Sequence, residues 1–233
     1  MDAAFFDLDG TLLNTLADIG NACNHMLAAH GFPTHALPAY ATMVGNGFTR
    51  TVEQALPPAV TAGLSPEDLE TLAAEARARY EAALREHTVP YDGMPQALAA
   101  LADRGMILAV LSNKPDAWTV ELIRHFFPDI PFALVRGARA GAPLKPDPEV
   151  PRAMLAELGL RPGRCAYVGD SDVDMRTALN AGMVPVGAAW GFRGGAELRH
   201  AGARLLAAQP AELPDILCSI PVSGGDDHAS SHH

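Results

Sequence analysis

Four short stretches of this chain carry side chains that can do chemistry together: Asp7-Leu8-Asp9-Gly10-Thr11, Ser112-Asn113-Lys114, Lys145-Pro146-Asp147-Pro148, and Gly169-Asp170 with Asp174 four residues on. In an extended segment, residues two apart project to one side, so Asp7, Asp9 and Thr11 are expected to converge. Two carboxylates and a hydroxyl can hold a hard cation, or divide the roles of nucleophile and proton donor. An Asp-Gly turn closing a strand produces much of the same text, so this stretch alone leaves both readings open. Ser112 and Asn113 can donate hydrogen bonds to phosphate oxygens, and they are equally ordinary turn residues.

Lys145 leads into a helical pattern that starts near Val150, at an end where the helix dipole favours acids. Its partner is therefore expected elsewhere in the fold. Asp170 closes an apolar run, and Asp174 returns to the same side once a helix begins. If the stretches meet, Asp7, Asp9, Asp170 and Asp174 share one pocket, where each close pair repels by about 4 kcal/mol at ~4 Å and an effective dielectric of ~20. Such a cluster requires cations. Lys145 brings one charge and a divalent ion two, and an oxygen-only donor set favours Mg²⁺ over Zn²⁺.

The elements that must position these residues are legible as alternating patterns. Apolar runs at residues 3–6, 106–111, 132–135, 165–168 and 184–186 alternate with segments of helical period at 95–102, 118–127, 150–158 and 175–181. Strands without a polar face, separated by helices, predict an α/β fold with a doubly wound parallel sheet. Ligands of such sheets bind at the carboxyl ends of the strands, where three of the four stretches fall, the Lys145 stretch standing before a helix. Residues 15–89 break the rhythm: they show helical stretches at 16–29, 48–56 and 66–86, the last with Ser65 as N-cap and Pro66 at the first helical position, and no convincing strand. The expected organisation is a core of residues 1–14 and 90–220, a helical insertion of residues 15–89, and a flexible Gly/Ser/His-rich tail at 221–233.

With 48% hydrophobic and 19% charged residues, the 233-residue chain can bury a sizeable core. Its formal charge of −10 disfavours partners bound by neutralising phosphates, so neither nucleic acid nor a membrane surface is expected. Cys23, Cys165 and Cys218 lack the spacing of a zinc site or a disulfide framework. No basic and apolar leader precedes Asp7, which predicts a cytoplasmic protein. Of the 17 basic residues, only Lys114 and Lys145 are lysines. Both fall inside the chemical stretches.

In order and interval, the four stretches resemble the motifs of the haloacid dehalogenase-like hydrolase superfamily, across nearly all of residues 1–217. The resemblance implies a Rossmann-like core with a helical cap over the site. It also implies that Asp7 attacks phosphorus to form an aspartyl-phosphate while Asp9 protonates the leaving oxygen and later activates water. Mg²⁺ would be held by the Asp7 carboxylate, the Asp9 backbone carbonyl and Asp170, supported by Asp174. Thr11, Ser112 and Asn113 would orient the phosphoryl oxygens, and Lys145 would pair with the nucleophile and the phosphate. Met43-Val44-Gly45-Asn46-Gly47 resembles the cap segment of phosphoglycolate phosphatases, which suggests a small phosphorylated metabolite, 2-phosphoglycolate first, with Asn46, Gly47 and Arg50 as substrate contacts. Leu12-Leu13-Asn14-Thr15 departs from the Asp-Ser pair usual in the family at this point. The rival expectations are a phosphosugar mutase or pyrophosphatase of the same superfamily, and a non-catalytic phosphoanion-binding regulatory protein. Oligomeric state is not legible.

Overall fold

A computed structural model describes residues 1–220; the expected tail lies outside the described residues. Its centre is a six-stranded, wholly parallel sheet made of β1 (Ala3–Phe6), β4 (Ile107–Pro115), β5 (Phe132–Ala138), β6 (Cys165–Gly169), β7 (Val184–Ala188) and β8 (Leu205–Ala207). The spatial order is β5-β4-β1-β6-β7-β8. The chain thus winds outward from β1 first in one direction and then in the other, which puts the topological switch point, and the expected ligand crevice, at the carboxyl end of β1.

Strand alternation sorts the core into two layers. Ala4 and Phe6 face the side covered by α5 (Met94–Asp103), α6 (Asp116–Phe126) and α10 (Leu213–Ser219), through Leu98, Leu122 and Leu217. Ala3 and Phe5 face Met154 of α7 (Glu149–Glu157) and Ala178 of α8 (Asp172–Ala181). Because both faces are covered, the central strands carry no polar face: all four residues of β1 are fully buried. Helix α9 (Gly194–His200) packs Leu198 against Gly187 of β7, where a side chain larger than hydrogen would collide.

Between β2 (Leu13–Asn14) and β3 (Val89–Pro90) lie α1 (Leu16–Ala29), α2 (Phe48–Ala55), α3 (Pro58–Thr61) and α4 (Pro66–Ala82). Ser65 caps α4 as its sequence suggests, accepting from the Asp68 N–H at 3.1 Å while Asp68 accepts back from the Ser65 N–H. β2 and β3 pair antiparallel, Leu13 with Pro90 and Asn14 with Val89. The sequence reading has no strand there, because two residues are too few for a period of two to show. It likewise has no β8, α9 or α10, and it extends α4 four residues past its end.

One carboxylate holds the two linkers beside this ribbon. Asp18, buried in α1, accepts from the backbone N–H groups of His87 and Thr88 at 2.8–3.0 Å and from the Thr88 hydroxyl at 2.7 Å, with His87 Nδ1 at 2.9 Å. Asp18→Ala strands these donors, and unmet buried donors cost about 1–3 kcal/mol. The Tm of Asp18→Ala is therefore expected to fall by roughly 5–10 °C in a thermal melt, and an unchanged Tm would show that the linkers are held by other contacts.

Candidate active site

The carboxyl ends of β1, β4 and β6 bring the predicted residues together. Asp7 follows β1 and its N–H bonds to the Val168 carbonyl at 3.0 Å. The backbone beyond it turns rather than running extended: the N–H groups of Thr11, Leu12 and Leu13 all point to the Leu8 carbonyl, at 3.0–3.3 Å. Gly10 permits this with φ +82°, and a Cβ there would strike the Asp170 carboxylate. In consequence Thr11 does not project beside Asp7 and Asp9. Its hydroxyl donates to Asp170 Oδ1 at 3.2 Å, so it positions a carboxylate instead of lining the cavity.

Lys145 finds the partners its helix end could not offer. Its Nζ lies 2.9 Å from Asp7 Oδ1, 2.7 Å from Asp174 Oδ1 and 3.0 Å from the Tyr167 hydroxyl, and its side chain is 2% exposed. Burial alone would lower its pKa, but Asp174 and Asp7 reverse this and hold the ammonium well above the ordinary lysine value. Asp174 is fixed by its other oxygen, which accepts from the Ser171 N–H at 3.0 Å and the Ser171 hydroxyl at 2.7 Å in the capping box of α8. Ser171 and Tyr167 were not anticipated; the S-x-x-D spacing before a helix was a readable signal for the first.

Asp170 Oδ2 accepts from the Phe192 N–H at 2.7 Å, and the Trp190 indole donates to the Thr11 carbonyl at 3.0 Å. This loop can lie so close because Gly191 has no side chain to meet Asp170. Carboxylate oxygens of Asp7, Asp170 and Asp174 lie within 4.8 Å of one another. Burial pushes Asp7 up to about 7, with Lys145 opposing the shift and Asp174 adding to it. Asp170 is raised well above the carboxylate range by burial and then by Asp174 and Asp7. A surplus of buried negative charge and a donor set of oxygens only fit a hard divalent cation such as Mg²⁺.

The second lysine mirrors the first. Lys114 Nζ donates to both oxygens of Asp9, at 2.9 and 3.1 Å, and Asp9 Oδ1 also accepts from Thr15 at 2.7 Å. Asp7, Asp9, Ser112, Asn113 and Lys114 line a cavity of about 30 Å³, roofed by Val44, Gly45, Gly47, Phe48 and Thr51 of the insertion. Ser112 faces this cavity. The Asn113 side chain lines it but is tied down by the backbone N–H and carbonyl of Lys145, at 2.8 and 3.1 Å, and by the Gly45 carbonyl at 3.0 Å. Its side chain therefore locks the roof to the core and holds Lys145, and is not free for a phosphate oxygen.

Two of the expected substrate contacts lie outside. Arg50 is exposed and paired with Glu53 three residues on, and Asn46 is exposed beside it at an adjoining depression that includes Arg77 and shares Gly47, Phe48, Asn113 and Pro115 with the cavity. Helix α2 begins at Phe48, so a residue at position 50 falls on its outer side while Phe48 and Thr51 turn inward. Gly47 does reach the cavity, at φ +90°.

Among the described residues, no helix is long and apolar enough to cross a membrane. A family model described as haloacid dehalogenase-like hydrolase matches residues 4–188. A phosphoglycolate phosphatase of Xylella fastidiosa is 35% identical over 196 residues, which is 81% of this chain and 80% of its own. An N-acetylmuramic acid 6-phosphate phosphatase of Pseudomonas aeruginosa is 31% identical over 221 residues, 93% and 95% of the two chains. The crystal structure of a phosphoglycolate phosphatase candidate from Lactobacillus delbrueckii subsp. bulgaricus superposes with a TM-score of 0.83 at 28% identity, covering 93% and 98%. With the family model spanning most of its length, the chain belongs to the haloacid dehalogenase-like hydrolases.

Proposed function

We propose that the chain is a Mg²⁺-dependent phosphatase that hydrolyses a small phosphorylated metabolite through an aspartyl-phosphate, with 2-phosphoglycolate as substrate and glycolate as product. The observation that carries this reading is the pair of carboxylates on one cavity, buried Asp7 and partly buried Asp9, each held by its own lysine. The Asp7 carboxylate, the Asp9 carbonyl and Asp170 would hold the ion, with Asp174 supporting them from behind. Bound there, Mg²⁺ supplies positive charge to the phosphoryl oxygens.

Asp7 attacks phosphorus and the ester P–O bond breaks, while Asp9 gives the leaving oxygen its proton. Water then attacks the aspartyl-phosphate, giving its proton to Asp9 and releasing inorganic phosphate and free Asp7. Lys145 holds Asp7 in line, and Ser112 orients a phosphoryl oxygen. The insertion acts as a cap over residues 1–14 and 90–220. The cavity beneath it has room for about two waters, so the cap moves to admit substrate and closes over it to exclude water. The roof is formed by Val44, Phe48 and glycines, with the Thr51 hydroxyl donated to the Met43 and Gly47 carbonyls. That leaves little to satisfy the hydroxyls of a sugar and favours a two-carbon leaving group over an amino sugar or a mutase substrate.

Phosphate release from a panel of esters tests this. With Mg²⁺, 2-phosphoglycolate is expected to give the highest kcat/KM, ahead of N-acetylmuramic acid 6-phosphate, hexose phosphates and pyrophosphate. Chelation is expected to lower the rate at least ~100-fold, with added Mg²⁺ restoring it. Phosphate moved to a second sugar hydroxyl would indicate a mutase. Tight binding without release would indicate a regulatory protein.

A further inference from the structure

Lys114 has no part in the mechanism above, yet it is as buried as Lys145, with a side chain 2% exposed. Its ammonium has three N–H donors. Two meet the Asp9 oxygens, and the third has Tyr80 beside it, whose buried hydroxyl makes no hydrogen bond of its own. The ammonium lies 4.5 Å from the ring centroid of Tyr80, which α4 brings down from the insertion. Tyr80 in turn packs on Phe48 and Trp118, at centroid separations of 5.5 and 5.0 Å. These aromatic rings pack beside the ammonium, and Lys114 is also among the residues that line the cavity.

Position does the rest. If Asp9 handles the proton of the leaving oxygen, that oxygen sits about 2.7 Å from an Asp9 oxygen, and the same carboxylate touches the ammonium at 2.9 and 3.1 Å. A group two bonds beyond the leaving oxygen is then within reach of Lys114. Of the described residues that line the cavity, Ile19, Val44, Phe48 and Pro115 are apolar, and Lys114 is the one lysine or arginine among them. Lys114 is the cation that an anionic leaving group would meet there. Burial lowers its pKa and Asp9 more than restores it, so the side chain stays charged.

We infer that Lys114 is the specificity-determining residue of this site, selecting esters whose leaving alcohol carries a carboxylate two bonds from the scissile oxygen. The inference rests on the proposed phosphatase reading and deepens it. Asp9, already paired with Lys114, marks the leaving-group side, and the third N–H receives the substrate carboxylate.

The test compares 2-phosphoglycolate with its neutral carboxamide, 2-phosphoglycolamide, on the wild type and on Lys114→Gln and Lys114→Arg, with a thermal melt of each variant. The wild type is expected to favour the acid by at least about 20-fold in kcat/KM. In Lys114→Gln, activity on the acid falls about 100-fold or more, activity on the amide falls far less, and the preference is lost. Lys114→Arg keeps the charge and retains a preference for the acid. Equal losses on both esters in Lys114→Gln would overturn the inference, since they would show action through Asp9 alone. If Lys114→Gln does not fold, the wild-type and Lys114→Arg preferences decide. An active wild type indifferent to the carboxylate sinks the assignment of Lys114 only, whereas a wild type inert to both esters sinks the reading of the site and this inference with it.

Discussion

Asp7→Asn is expected to lower kcat by about 10⁴-fold or more while leaving the fold intact, because an amide cannot form the covalent intermediate and no other carboxylate is placed to replace it. Asp9 is held away by Lys114 and Thr15, Asp170 by Thr11 and Phe192, and Asp174 by Lys145 and Ser171. The stability of the variant can be anticipated from the charge balance. Burial raises Asp7 from the ordinary carboxylate value to about 7. An acid whose folded pKa lies above its unfolded one binds more protons in the native state between those values, so its contribution to stability falls as pH rises from about 4 to about 7. In metal-free protein at pH 8, ionised Asp7 therefore opposes folding. Asp7→Asn removes that charge, and its Tm there is expected to match or exceed the wild type. Kinetics and a melt of one preparation check both halves, and either residual turnover near the wild-type rate or a large drop in Tm would contradict the placement of Asp7.

Lys145→Arg conserves charge and is nonetheless expected to lower kcat by about 100-fold or more. One compact ammonium meets Asp7, Asp174 and the Tyr167 hydroxyl within 3.0 Å, in a site closed to solvent. A planar guanidinium is larger and fixes its donors in a fork, so it cannot satisfy three converging acceptors without moving Asp7. Lys145→Met goes further, leaving two buried carboxylates without their cation; removing one partner of a buried pair costs about 3–5 kcal/mol. The contrast separates position from charge: Lys145→Arg loses rate with a modest change in Tm, and Lys145→Met loses both. A Lys145→Arg enzyme within a few-fold of the wild type would show that charge alone suffices there.

Much of this site was legible because its residues sit at strand ends, where a change from an apolar run to Asp, Ser or Lys marks a position as well as a chemistry. Asp7, Ser112 and Asp170 stand out in that way, and Lys145 as a lysine ahead of a helix whose dipole favours acids. The α/β alternation was equally plain, since strands covered on both faces read as continuous apolar text. What the sequence concealed depends on local backbone direction. An extended segment would set Thr11 beside Asp7, but the turn at Gly10 carries it to Asp170. Arg50 and Asn46 stand near a glycine-rich loop in sequence, yet α2 turns Arg50 outward and Asn46 is exposed in the turn before that helix. Asn113 keeps its position and changes its work, since its amide serves the backbone of Lys145 and Gly45. The partners Tyr167, Tyr80 and Asp18 had no motif, because each acts through contacts with residues at least 22 positions away. Lys114 was conspicuous only as one of two lysines among many arginines, and its pairing with Asp9 gives that oddity a physical reason.

Covalent attack by Asp7 is the central claim, and acid quenching of the wild-type enzyme during turnover of 2-phosphoglycolate labelled in the phosphoryl group tests it most directly. The label is expected on the peptide that contains Asp7, as an acyl phosphate released by hydroxylamine, and absent from Asp7→Asn. Phosphate release at the full rate with no label on that peptide would contradict the account.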